Sequence, residues 1–384
     1  MRNLQAVYDP YDLWATDLGI WVRKQYYLGR ISGKGGGLAL VLLDWIAPGF
    51  CRYLAGAKPL RYPVVIAHEI LLWRIVSQVE KDLEDNSLEQ LVSLASRHGD
   101  EKLWSWGLGF PWMSKNGLYG PQLPFVTHTP YVMEALLALA ERRDLREESM
   151  SMFHGTWNFL ESLKVMHRGE NELALSYAPV DEPRIVINAN GYAAFAYAMH
   201  AVHGREEIRD LAGAKAVQLA RWVIGQQQEN GSWLYYADDK AGNFIDCFHS
   251  CFVIKNLLKV KRLIPGLAGI VEPALEKGWA YIQEQFFDEA RGLCRRFTVH
   301  AQRDPFRWDL YDQAEYLGLL VDFGELARAR VFALRAEKRF RRGKDWYCRI
   351  DIFGRRWGCN FLRWGITPFW YHRARLERAL SELV

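Results

Sequence analysis

Apolar positions along the chain fall into blocks with a helical period rather than into strict alternation. Stretches at 65–83, 129–141, 190–202, 247–260, 312–322 and 367–383 place apolar side chains three and four residues apart. Between them lie more charged, amphipathic stretches at 87–97, 148–165, 205–228, 273–284 and 325–339. The comparable helix starts, near Thr129, Asn190, Asp246, Asp312 and Thr367, are 61, 56, 66 and 55 residues apart. A hairpin recurring at that interval, with an apolar first helix and a charged second one, predicts two concentric layers. An inner helix is covered all round, whereas an outer helix keeps one wet face. About six such units fit, so the predicted fold is all-α, an (α/α)6 toroid over residues 61–384 with an N-terminal extension over residues 1–60. An open solenoid fits less well, because its repeats are shorter and more uniform.

The long connections, at 104–130, 171–190, 233–246 and 293–312, all precede an apolar helix. In a toroid they meet at one end of a central funnel, and long loops in a compact domain usually carry function. The first loop supplies Trp112, Tyr119 and His128; the second supplies Tyr177, Glu182, Asn188 and Asn190. From the third come Trp233, Tyr235, Tyr236, Asp246 and His249. The fourth brings His300, Arg307, Trp308, Asp309, Tyr311 and Asp312, while Arg363 and Trp364 open the last turn. Carboxyl, Tyr and His side chains move protons, Arg and Asn hold a carboxylate, and Trp or Tyr faces stack on sugar rings. Each has a plainer alternative. Asn190, Asp246 and Asp312 stand where helix caps stand, and His249 fits a core histidine. Trp233, just past the Asn230-Gly231 turn, suits packing, and Tyr192 and Tyr197 on an Ala-rich helix suit a core. The segment Arg307–Asp312 is the densest in polar groups and is the strongest candidate.

Composition sharpens this picture in three places. Sixteen Trp, 18 Tyr and 19 Phe in 384 residues supply stacking faces as readily as core. The net charge of +4 is too small to argue for nucleic acid. Residues 335–378 nevertheless hold thirteen Lys/Arg against four Asp/Glu, a solvated basic face or a surface for an acidic polymer. Six cysteines without CxxC pairing point to free thiols in a reducing compartment, and no metal or cofactor motif is present. Asp9, Asp12 and Asp17 break any leader-like apolar run, which points to a cytoplasmic protein. Gly33–Gly37 reads as a loop between two short helices. Residues 38–54 are apolar but carry Asp44 and Pro48, and so read as a buried or interfacial helix-turn rather than a membrane span. With Arg23, Lys24, Arg30 and Lys34 before it, peripheral contact with an anionic inner membrane is a further expectation.

Several motifs together resemble bacterial polysaccharide-biosynthesis proteins of the six-hairpin-glycosidase superfamily. They are the opening YDPYD, LGFPWMSKNGLY, YAPVDEPRIVINANGYAA, QQQENGSWLYY with FIDCFHSCFV, and the closing FLRWGITPFW. The likeness spans nearly the whole chain and implies an α/α toroid near capsule, exopolysaccharide or lipopolysaccharide assembly. IVINANGYAAFAYAMHAV and FRWDLYDQAEYL are also distantly similar to the α/α-barrel part of glucuronyl 5-epimerases. That likeness implies Tyr177 or Tyr311 as proton carriers, Arg307 and Asn188 on a uronate carboxylate, and Asp309 assisting.

The resulting expectation is an enzyme acting on an acidic oligo- or polysaccharide by proton abstraction, giving epimerisation or elimination. A glycoside hydrolase using Asp246 with Asp309 or Asp312 is the alternative within enzymes. A non-catalytic glycan-binding assembly factor is the alternative outside them.

Overall fold

In the computed structural model, residues 6–76, 81–98, 101–102, 104–114, 117–299 and 305–383 are described. The extension holds α1 (Asp17–Tyr27), α2 (Ile31–Ile46) and α3 (Pro48–Ala55). The body follows with α4 (Pro63–Val76), α5 (Lys81–Leu94), α6 (Thr129–Leu139) and α7 (Arg146–Ser162). Next come α8 (Ile187–His203), α9 (Glu206–Gly225), α10 (Cys247–Leu263) and α11 (Ala268–Gln285). The chain closes with α12 (Leu310–Asp322), α13 (Leu326–Phe340) and α14 (Thr367–Ser381).

Packing closes a ring. Helix α4 packs on α6, α6 on α8, α8 on α10, α10 on α12, α12 on α14, and α14 returns to α4. These are the six apolar helices, and α5, α7, α9, α11 and α13 each cover one of them from outside. The fold is therefore an (α/α)6 toroid, as the repeat predicts. Helix α8 shows why the inner layer is apolar throughout: Ile187 to His200 are all buried, with alanine on several sides. Small side chains let neighbouring helices approach closely. A Cβ on Gly191 would lie 3.6 Å from the Asn256 Cβ on α10.

The connections at one end of the ring form short hairpins that prop up the inner-helix starts. Ile245–Asp246 pairs antiparallel with Phe297–Val299, immediately before α10. Phe306–Asp309 pairs with Asp345–Asp351, which pairs in turn with Arg356–Cys359. Asp246 then caps α10 by accepting from the His249 N–H, and Asp309 caps α12 by accepting from the Tyr311 N–H. Asn190 and Asp312 are not caps. Asn190 lies inside α8, and its side chain bonds the Leu175 backbone and the Val186 carbonyl. Asp312 lies inside α12 and accepts from the Phe248 N–H.

Two other local expectations change. The glycine run 33–37 is not a loop but part of α2. A Cβ on Gly33 would sit 2.0 Å from the Tyr26 backbone nitrogen, so glycine is what lets α2 cross α1 this tightly. The basic segment is not simply a solvated face. Arg349 pairs with Asp309, Arg363 with Asp9 and Arg375 with Asp322; Asp309 and Asp9 are buried, and the Asp322 side chain is 5% exposed.

The extension is tied down by charge. Buried Arg52 reaches Asp12, Asp44 and the Asp9 carbonyl, while the Trp357 indole donates to the Asp44 carbonyl and the Trp45 indole to Asp351. An unpaired arginine there would be costly, so Asp12 and Asp44 hold α3 within the extension, while the two indole bonds tie α2 to the 345–359 hairpin.

Candidate functional site

A cavity of about 270 Å³ opens at the loop end of the ring. Its walls are aromatic: Phe110, Trp112 and Phe125 from the first loop, Tyr235 and Tyr236 from the third, and Phe248, Phe252 and Trp364. Tyr11 reaches in from the extension and packs edge-on against both Trp112 and Trp364. The YDPYD opening thus becomes part of the wall. Its Asp9 is fully buried and holds Arg363 through two bonds of 2.7 and 2.6 Å. Gly365, at φ 85°, lets the chain turn against α12; a Cβ there would lie 2.5 Å from the Tyr311 nitrogen.

One wall carries a His–Asp dyad. His249 Nδ1 lies 2.8 Å from each Asp246 carboxylate oxygen. A carboxylate only accepts, so Nδ1 carries a proton, and in the neutral imidazole Nε2 presents its lone pair. His249 lines the main cavity, and Asp246 a small side recess shared with Asn188 and Trp233. Capping and chemistry coincide here, since the same Asp246 oxygen also accepts the His249 backbone N–H.

The floor is a cluster of tyrosines. Tyr131 and Tyr192 meet hydroxyl to hydroxyl at 2.6 Å, and Lys255 Nζ donates to Tyr131 at 2.9 Å. Lys255 in turn pairs with Glu315 at 2.7 Å, both deeply buried. Burial holds Lys255 below the usual lysine range and raises the Tyr131, Tyr192 and Tyr311 hydroxyls well above theirs. The tyrosines are therefore neutral donors at pH 7, with the Lys255 amine behind one of them.

The remaining polar groups line the opposite side. Thr127 donates to the Tyr177 hydroxyl at 2.8 Å and lies 3.2 Å from His128 Nδ1. Burial lowers His128 to about 3 and pushes Tyr177 up to about 12, so both are neutral. Glu182 accepts from the Tyr119 hydroxyl and the Tyr177 N–H, with burial raising its carboxyl above the usual range. It is the only carboxyl lining this cavity among the described residues. Asn188 is buried on the wall, and its enclosed Oδ1 has no hydrogen-bond partner.

The structure thus brings His249, Asp246, Tyr177, Tyr311, Asn188, His128, Trp112, Arg363 and Trp364 to the cavity or its recess. It keeps others away. Arg307 is exposed and lies over Trp308, which is buried outside the cavity. The Asp309 carboxylate is committed to Arg349 and the Trp364 indole. Asp312 is fully buried; burial first, then Asp309 nearby, pushes its carboxyl well above the usual range. Asn190 is spent on backbone; Trp233 does border the recess, but its indole N–H is spent on the Val223 carbonyl. His300 lies outside the described residues. Of the densest candidate segment, only Tyr311 reaches the cavity. Reasoning from sequence passed over Tyr131 and Lys255 and read Tyr192 as core; the three sit inside three different inner helices, α6, α10 and α8.

No family model and no curated protein matches the chain. Solved structures do match its shape. A cellobiose 2-epimerase from Bacillus thermoamylovorans superposes with a TM-score of 0.59 at 11% identity, covering 84% of this chain and 88% of that one. A D-mannose isomerase gives 0.58 at 12% identity over 84% and 87%. A GH76 α-mannanase from Bacteroides thetaiotaomicron gives 0.57 at 10% identity over 97% and 100%. The chain shares their toroid. At such identities the likeness is one of fold, and the chemistry rests on the side chains in place.

Proposed function

We propose that this protein is a carbohydrate-active enzyme that moves a proton on a saccharide bound in the aromatic funnel. The observation that carries the proposal is the Asp246–His249 dyad, whose histidine lines a cavity floored by hydrogen-bonded tyrosines. His249 Nε2 takes the proton from a carbon next to a carbonyl, and Asp246 stabilises the imidazolium that forms. The electron pair moves onto the carbonyl oxygen, where a tyrosine hydroxyl of the floor donates to it. Return of a proton to the opposite face gives an epimer, and return to the former carbonyl carbon gives an isomer. Expulsion of a neighbouring oxygen gives elimination.

That several proteins of this fold are named as epimerases or an isomerase supports the reading without deciding it. Hydrolysis by two carboxylates has less support. Glu182 is alone on the cavity wall, and Asp246 is engaged with His249. An acidic sugar also has less support than a neutral one. Among the described residues the single lining arginine, Arg363, is neutralised by Asp9, and Arg307 lies outside. A role in surface-glycan biosynthesis is supported by the sequence motifs alone.

The test is proton exchange. Reducing oligosaccharides, neutral and uronate-terminated, are incubated with the protein in deuterated water and followed by NMR. Deuterium should enter at one carbon without chain shortening, and His249→Gln should abolish it. New reducing ends without deuterium would indicate hydrolysis, and no change with any saccharide would indicate binding alone.

A further inference from the structure

The extension has an outer surface that the toroid does not use. Among the described residues, half of the exposed large hydrophobic side chains lie between Leu18 and Leu54. On α2 they run as Ile31, Leu38, Leu42 and Ile46, one stripe at helical spacing, with Leu38 62% and Ile46 65% exposed. The opposite stripe of α2, Gly33, Leu40 and Asp44, is buried against α1 and α3. This helix is therefore apolar on two faces with only one of them covered. Helix α3 continues the surface with Phe50, Tyr53 and Leu54, and α1 adds Leu18, Trp21 and Leu28. The turn of the 345–359 hairpin joins them through Phe353, 78% exposed and stacked on Trp45.

The charge around this surface is one-sided. Between residues 6 and 60 the exposed bases are Lys24, Arg30, Lys34 and Lys58, whereas Asp17 is the only exposed acid. Asp9, Asp12 and Asp44 are buried against Arg363 and Arg52. Two copies meeting face to face through this patch would bring like charges together. An anionic bilayer complements both the apolar side chains and the bases. Sixteen residues of α2 make a rod of about 24 Å, short of the ~30 Å hydrocarbon core. Among the described residues no helix is long and apolar enough to cross a membrane. Lying in the interface is the geometry left for such a helix.

We infer that α1–α3 form an interfacial docking surface for an anionic phospholipid bilayer. Docking sets the funnel beside the lipid. Tyr11 of the extension lines the cavity, and Arg23 of α1 stacks 3.7 Å over cavity-lining Trp112. A saccharide carried on a membrane lipid is the substrate class this placement suits. That last point rests on the proton-transfer function, whereas docking does not.

Flotation with phosphatidylcholine vesicles, alone or mixed with phosphatidylglycerol, tests the docking with no need for activity. The full chain should float with the anionic vesicles and much less with the neutral ones. Leu42→Glu with Tyr53→Glu, both on exposed sites, should abolish flotation while leaving the helical circular dichroism unchanged. Lys24→Glu, Arg30→Glu and Lys34→Glu together should weaken binding to anionic vesicles by on the order of 100-fold or more. Failure of the folded wild-type chain to float overturns the inference. So does a dimer in sedimentation velocity that the Leu42→Glu/Tyr53→Glu variant dissociates, since the occupant is then a second copy.

Discussion

The two ends of the toroid hold cavities of opposite character. The one away from the hairpins is the larger, about 810 Å³, and its rim is charged. Yet its charges are spent on one another: Lys259 on Glu134, and Arg262 and Arg375 on Asp322. The loop-end cavity is about 270 Å³ and almost uncharged, but it holds an oriented histidine, an unpartnered Asn188 oxygen and a tyrosine pair. Size and charge mark the first end; uncommitted polar groups mark the second. Chemistry needs the latter. Tyr131 lines both cavities, with Lys255 behind it on the far side. The ends therefore share one wall, and the comparison can be broken by mutation from either side.

The largest effect should come from the dyad. His249→Gln is expected to lower kcat by ~10²–10⁴ with the fold intact. Lys259→Ala at the other end should leave kcat/KM unchanged, and equal losses from both variants would erase the distinction between the ends. Next comes the shared wall. Tyr131→Phe removes the hydroxyl that Lys255 and Tyr192 both contact, and a loss of roughly 10²–10³ in kcat is expected. Glu315→Gln leaves Lys255 buried without its carboxylate, and urea denaturation should show a cost of about 3–5 kcal/mol.

A smaller effect appears in the pH dependence of stability. Burial lowers His68, His128 and His200 to about 3, and His372 well below its usual value. The unfolded chain binds protons that the folded one refuses, so their contribution is full above pH 6.5 and lost as pH falls toward 3. Each histidine should steepen acid destabilisation by up to ~1.4 kcal/mol per pH unit below 6.5. Chemical denaturation at pH 7 and pH 5 reads this, and His200→Asn should flatten the slope. The smallest expected effect lies at the funnel wall, where Trp112→Ala should raise KM roughly 2- to 10-fold with little change in kcat.

The fold was legible because inner helices must be apolar all round, and that constraint repeats at every hairpin. The helix starts at Thr129, Asp246 and Thr367 could be read nearly to the residue, since a Pro, an N-cap or a turn marks each. The site was legible only where a loop carries it. His249 and Asp246 stand out because a cap and a histidine share one turn. Tyr131, Tyr192 and Lys255 do not, because inside an apolar helix a hydroxyl toward the axis and one toward the core have the same period. The Arg307–Asp309 segment lies off the cavity for a clear reason. The ladder shifts register between Phe306 and Trp308, so Arg307 falls at an irregularity and is exposed, while Asp309 pairs with Arg349 across the ladder. A dense polar cluster there serves the hairpin rather than the cavity. The basic segment misled likewise: the acids that bury its arginines, Asp9, Asp309 and Asp322, are distant in sequence.

Solvent deuterium exchange into a bound saccharide tests the central claim most directly, because it reports proton abstraction whatever product follows. Wild-type protein should place deuterium at a single carbon next to a carbonyl, and His249→Gln should place none. Exchange that persists at the wild-type rate in His249→Gln would contradict the assignment of the dyad and of the loop-end cavity as the place where the chemistry happens.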